Sequence, residues 1–311
     1  MHRRDALLGA LSLCCLPAMA RTVVVEPAGP LFTERVADGI YFRRGVDADA
    51  SAANKGGIAN VGFVEGRDAV AVFDPGGSRI DGEGLRSAVR RRTGKPIRYV
   101  VLSHGHPDHI FGAAAFKRDF PQVVGHHRLP GVLASRGEYY RKRLAAAVGS
   151  ELAGEVVMPT VLVRDQMELD LGGRKLLLTA HPVAHTDNDL TALDSQTGTL
   201  LASDLLSVGR VPSLDGSLRG WLDVLASLKA LPAQRAVPGH GPTGVDWPHA
   251  SADLERYLGL LLHETRAAIR KGIPIEEAVN VVAQSERNRW ALFDDYHGGN
   301  VTQAFKELEW E

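Results

Sequence analysis

The segment that most constrains this chain is Leu102-Ser103-His104-Gly105-His106-Pro107-Asp108-His109. It follows the apolar run Tyr99-Val100-Val101 and precedes a helical pattern that begins near Ile110. Three imidazoles and a carboxylate within six residues, in a loop at a strand end, are costly to hold together unless something organises them. Alternation along an extended chain puts His104 and His106 on one side. The turn into the helix then directs Asp108 and His109 toward a second point nearby. Imidazole and carboxylate at this density suit Zn²⁺ or another first-row metal.

Around this loop, short apolar runs alternate with helical patterns, the order of an α/β fold. Strands are predicted at 39–43, 58–65, 69–73, 97–102, 123–125, 175–180, 191–193, 199–202 and 235–237, all rich in Val, Ile, Leu or aromatics. Helices are predicted at 84–92, 110–120, 128–148, 217–231, 252–271, 275–285 and 301–308. The strands fall into two halves, before and after residue 165, with histidines at strand ends in each. That predicts two sheets packed face to face with helices outside. Strand signals stop near Ala252, so residues 251–311 read as a helical extension on a main domain of 21–250.

Charge and cysteine usage narrow the classes further. The 36 basic and 37 acidic residues of the 311 leave no basic excess for nucleic acid. With 44% hydrophobic and 23% charged residues the chain is also unlike a disordered one. The first twenty residues have the three parts of a secretory signal peptide: Arg3-Arg4, an apolar run from Ala6 to Cys15, and a small-residue cleavage site at Ala18-Met19-Ala20. The run is too short to span a bilayer. Cleavage is therefore expected to give a periplasmic or secreted protein with no stable membrane insertion, by either the general secretory or the twin-arginine route. It would also remove Cys14 and Cys15, the only cysteines, so a metal site in the mature chain must use His and carboxylate.

The spacing His-x-His-x-Asp-His after an apolar strand resembles the signature of the metallo-β-lactamase superfamily. Further parts follow in order: Asp74-Pro75-Gly76-Gly77, His185-Thr186-Asp187-Asn188-Asp189, Ala202-Ser203-Asp204 and Pro238-Gly239-His240-Gly241. The resemblance implies an αββα sandwich with the site at one edge of the two sheets. It implies two Zn²⁺ ions, with iron and manganese left open. One ion would be held by His104, His106 and His185, the other by Asp108, His109 and His240, with Asp204 bridging as in glyoxalase II-like members. Ser203 stands where glycine is usual, which puts that bridge in doubt. Asp74 either orients a ligand imidazole or simply ends a strand. Asn60-Val61-Gly62-Phe63, His106-Pro107-Asp108-His109, Trp221 and Leu308-Glu309-Trp310-Glu311 resemble the quinoprotein relay system zinc metallohydrolases. That closer likeness implies a quinoprotein dehydrogenase system as partner.

By this resemblance the chain is a hydrolase of a small-molecule ester, thioester, lactone or similar bond. A hydroxide held between the metals would attack, and Asp108 would also orient it and accept its proton. Two other classes stay open: an iron-dependent persulfide-type oxidoreductase, and a non-catalytic accessory protein of a quinoprotein. The substrate-binding residues are unknown at this stage. Candidates are Gly56-Gly57 as a flap, Tyr139, Tyr140, Arg141 and Arg143 as a wall or lid, and Arg210 facing an anionic group. His126 and His127 read as one buried and one exposed, His181 as structural, and His249, His263 and His297 as surface or capping residues.

Overall fold

The computed structural model describes residues 29–311, so the export signal expected over residues 1–20 lies outside the described residues. One sheet holds β1 (Glu34–Ala37), β2 (Ile40–Arg43), β3 (Val61–Glu65), β4 (Val70–Phe73), β5 (Ile97–Leu102), β6 (Gln122–His126) and β7 (Val161–Val163), side by side in chain order. Neighbours from β1 to β4 are antiparallel and those from β4 to β7 parallel. The other sheet holds β8 (Gln166–Asp170), β9 (Lys175–Ala180), β10 (Leu190–Asp194), β11 (Thr199–Ser207), β12 (Arg235–His240) and β13 (Val245–Asp246), with β11 and β12 its parallel pair. Every strand before residue 165 is in the first sheet and every later one in the second.

Parallel neighbours need crossover connections, and helices supply them. α1 (Arg79–Arg92) joins β4 to β5, and α2 (Pro107–Ile110) with the 3₁₀ stretch Phe111–Asp119 joins β5 to β6. α3 (Leu129–Val148) and α4 (Ser150–Ala153) precede β7, and α5 (Leu218–Lys229) joins β11 to β12. After β13 come α6 (Ala252–Arg270), α7 (Ile275–Ala278) and α8 (Phe293–Leu308). Among the described residues no helix is long and apolar enough to cross a membrane.

Alternation along the strands builds the layers. Val70 and Val72 of β4 pack toward α1, α3 and the 3₁₀ stretch, whereas Ala71 and Phe73 pack toward the second sheet. In β11, Leu201 faces the first sheet, while Leu200 and Ala202 join Trp221 of α5 and Tyr257 of α6. Both faces of these strands are buried, which is why the sequence reads there as unbroken apolar runs. The result is the expected αββα sandwich with C-terminal helices on the outer face of the second sheet.

The strands at 97–102 and 175–180 match their predicted bounds. β1, β7, β8 and β13 carried no usable signal, being short or alternately exposed. α8 begins at Phe293 rather than at residue 301. Gly298-Gly299 is a poor helix-forming pair, but burial of Phe293, His297 and Asn300 on one side overrides the local propensity.

Candidate metal centre

The ends of β4, β5 and β12, the β9–β10 loop and the later part of β11 meet at one edge of the sandwich. All seven expected ligands come together there. His104, His106, His185 and Asp204 offer donor atoms within 4.8 Å of one another, and Asp108, His109 and His240 form a second such group. Asp204 faces both. Its Oδ1 lies 3.1 Å from Nε2 of His109, and its Oδ2 lies 3.7, 3.5 and 3.5 Å from Nε2 of His104, His185 and His240. His240 is also 3.4 Å from Oδ2 of Asp108. Gly239 is required beside it, since a Cβ at that position would fall 1.8 Å from Oδ1 of Asp204.

Each imidazole has its other nitrogen held by an outer partner. His104 Nδ1 meets Ser103 Oγ at 2.9 Å, His109 Nδ1 meets Asp74 Oδ2 at 2.8 Å, and His106 Nε2 meets Asp215 Oδ2 at 2.8 Å. His185 Nδ1 donates to the Ser213 carbonyl at 2.7 Å and His240 Nδ1 to the Ile58 carbonyl at 3.0 Å. Such contacts fix ring orientation and tautomer, as metal-binding histidines require. Asp74 is thus a hub: it also accepts from the Ser103 N–H and from the hydroxyls of Ser103 and Ser203. Ser203 occupies a left-handed conformation, φ +47°, that favours glycine, and its hydroxyl donates to Asp74 at 2.8 Å. The serine that seemed to weaken the bridge therefore ties the Asp204 strand to the loop carrying His104.

Three buried atoms in the centre, Nε2 of His104, Nε2 of His109 and Oδ1 of Asp204, make no hydrogen bond. Buried polar atoms are normally paired. Orphans converging from imidazole and carboxylate are what a cation would satisfy, so the donor set fits two metal ions. Burial holds the His104 pKa well below its ordinary value, with the neighbouring His109 charge adding to the effect. Burial likewise lowers His185, helped by His106. At His109 burial is outweighed by Asp204, Asp74 and Asp108, and the pKa rises. Burial also opposes charge on Asp108 and Asp204, but His109 and His240 prevail and both carboxyls stay ionised far below their ordinary range.

Sequence reasoning missed Asp215 and the two carbonyls, and it quoted Asn60 only for a family likeness, with no role at the site. Asp215, whose pKa its bond to His106 helps bring to about 2, lies 109 positions from that histidine, with no spacing signal. Asn60 binds the Gly45 N–H at 2.9 Å and the Pro238 carbonyl at 2.8 Å, pinning the end of β12 that carries His240. A cavity of about 430 Å³ opens onto Asp108, Asp204 and His240. Gly56, Tyr140, Arg143 and Arg210 line it, whereas Tyr139 is exposed and Arg141 pairs with Glu138. His126 is buried and bonded to the His181 carbonyl, away from both ligand groups. His181 meets Thr191, and His249 is an exposed partner of Asp246. His297 departs from the surface role expected of it: it is buried, bonded to Tyr257 and to the Val282 carbonyl.

Residues 54–240 match the sequence pattern of the metallo-beta-lactamase superfamily. The chain belongs to that superfamily. A linear primary-alkylsulfatase from Pseudomonas sp. is 23% identical over 216 residues, covering 58% of this chain and 40% of the relative. The chain thus spans less than half the length of that relative. The structure of the stereoselective inverting sec-alkylsulfatase Pisa1 from Pseudomonas sp. superposes with a TM-score of 0.65 at 18% identity, over 90% of this chain and 50% of that one. A metallo-beta-lactamase from Pontibacter korlensis superposes with a TM-score of 0.59 at 19% identity, over 74% and 99%. These structural likenesses establish the fold. The relatives named here are alkylsulfatases and metallo-beta-lactamases, not quinoprotein relay proteins.

Proposed function

We propose that the protein is a dinuclear zinc hydrolase that cleaves an ester, thioester, lactone or similar bond in a small substrate carrying an anionic group. The observation that carries this reading is the position of Asp204 between two ligand groups, with Nε2 of His104 in one and Nε2 of His109 in the other left without hydrogen-bond partners. His104, His106 and His185 would hold one ion, Asp108, His109 and His240 the other, and Asp204 both. When bound, two zinc ions supply Lewis acidity and a water of lowered pKa.

The chain's own groups do the rest. Asp108, kept ionised and lining the cavity, orients the attacking water and takes its proton. Arg210 is buried, lines the cavity, and has no carboxylate within ion-pair distance among the described residues. Its guanidinium contacts no carboxylate: its partners are the Ala48 carbonyl at 3.3 Å, the Tyr296 hydroxyl at 3.4 Å and the His240 ring. A buried cation without a counter-ion favours an incoming anion. Ile58, Leu144, Val211 and Pro212 supply an apolar wall for the substrate's hydrocarbon part. The alkylsulfatase names among the relatives add sulfate esters to the bonds worth testing.

We further propose export, from the first twenty residues, and service to a quinoprotein dehydrogenase system, from the sequence likeness alone. The test is elemental analysis of the mature protein with a panel of carboxylic, sulfate and thio esters, lactones and β-lactams. Zinc with turnover of at least one class is expected. One iron per chain with oxygen consumption, or no turnover anywhere in the panel, would sink the proposal.

A further inference from the structure

We propose that the C-terminal helices are a working part of the metal centre, acting through Asn300 of α8. The inference rests on the dinuclear reading above. It concerns the loop Val211–Asp215, between β11 and α5, which presents the Ser213 carbonyl to His185 and the Asp215 carboxylate to His106. The Asp215 N–H also donates to the His185 carbonyl at 3.0 Å. Two ligands of one metal thus take their orientation from five consecutive residues that belong to no strand or helix.

Asn300 is 2% exposed and grips that loop on both sides of Ser213. Its Oδ1 accepts from the Leu214 N–H at 2.8 Å, and its Nδ2 donates to the Pro212 carbonyl at 2.7 Å. Only a carboxamide of this length both accepts and donates here: aspartate lacks the donor and glutamine is one methylene too long. The amide is itself fixed, since Nδ2 also donates to the Tyr257 hydroxyl of α6 at 2.8 Å. The loop is braced ahead as well. The Val211 N–H donates to the Ala291 carbonyl at 3.0 Å, and the Ala291 N–H to the Gly209 carbonyl at 2.8 Å. Without the grip, Ser213 and Asp215 lose their fixed positions, and His185 and His106 lose the contacts that set tautomer and tilt. Outer contacts of this kind are worth roughly 10- to 100-fold in metal affinity. Asn300 touches no ligand, so it is a positioning residue.

The experiment is a competitive zinc titration of the full chain against a chromophoric chelator, with the cobalt-substituted spectrum as a second readout. In Asn300→Leu one of the two zinc ions is expected to bind at least about tenfold more weakly, with an altered cobalt spectrum. Leu308→Ala truncates a buried apolar side chain of the same helix, two turns beyond Asn300, and removes none of the hydrogen bonds that Asn300 makes. It is expected to lower the melting temperature and leave both zinc affinities in place. If Asn300→Leu does not fold, Asn300→Asp gives the same reading, because it keeps the acceptor for Leu214 but cannot donate to Pro212. A folded Asn300 variant with both zinc affinities equal to wild type overturns this inference and leaves the dinuclear reading standing. A wild-type chain that binds no zinc overturns both.

Discussion

At the scale of single residues, the two carboxylates inside the centre have separable roles. Asp108 belongs to one candidate ligand group and faces the cavity, so under the proposed function Asp108→Ala removes a ligand and the proton acceptor together. The expected outcome is loss of one metal and a fall of about 10²–10⁴ in kcat/KM on the best substrate of the panel, read by elemental analysis and steady-state kinetics. Ser203 offers a finer test. Ser203→Ala keeps the left-handed backbone and deletes the bond to buried Asp74, at a cost of about 1–3 kcal/mol. Ser203→Gly loses the same bond but relieves the backbone, recovering about 1 kcal/mol. Urea unfolding of the metal-free proteins distinguishes them, and equal midpoints would deny the strain at φ +47°. Histidines 104, 106 and 109 were legible because one strand end delivers them together. The groups that orient them were not. A backbone carbonyl such as that of Ser213 or Ile58 has no residue-type signature, and Asp215 reaches His106 only through the fold.

At the scale of elements, strands buried on both faces, such as β4, β5 and β11, announced themselves as apolar runs. Marginal strands such as β8 are defined by pairing with β9 rather than by their own residues, so composition was silent. The ends of β6 and β9 bring His126 and His181 together, outside the metal centre. Burial lowers both pKa values to about 4, with His127 adding to the effect on His126 and His126 to that on His181. Their unfolded values lie near 6.5. The folded state therefore binds fewer protons than the unfolded one between those limits. The stability linked to each ring is full above pH 6.5 and is lost as pH falls from there to about 4, with a span of order 3 kcal/mol per histidine. Denaturant midpoints should decline over that window in wild type and decline less in His181→Gln. Parallel curves would exclude the pair as a source of acid sensitivity.

At the scale of the whole molecule, the division of strands at residue 165 foretold two facing sheets, because each half carries its own buried runs. What the sequence could not convey was that the helical tail does more than cover the second sheet. Its α8 supplies Tyr296 to the cavity wall and Asn300 to the loop behind His185. Under the proposal for Asn300, metal binding is coupled to the packing of α8. Chelation should lower the melting temperature, and free zinc at a hundred times the dissociation constant should restore about 2.7 kcal/mol per site. A melting temperature indifferent to chelator would mean that the centre forms no metal-linked part of the fold. The most direct test of the central claim is the metal content of purified wild type and Asp204→Ala, measured side by side. The geometry predicts two metal ions per chain in the first, zinc under the proposed function, and at most one in the second, because the carboxylate of Asp204 faces both ligand groups. Two ions in each, or fewer than two in wild type, would contradict an Asp204-bridged dinuclear site.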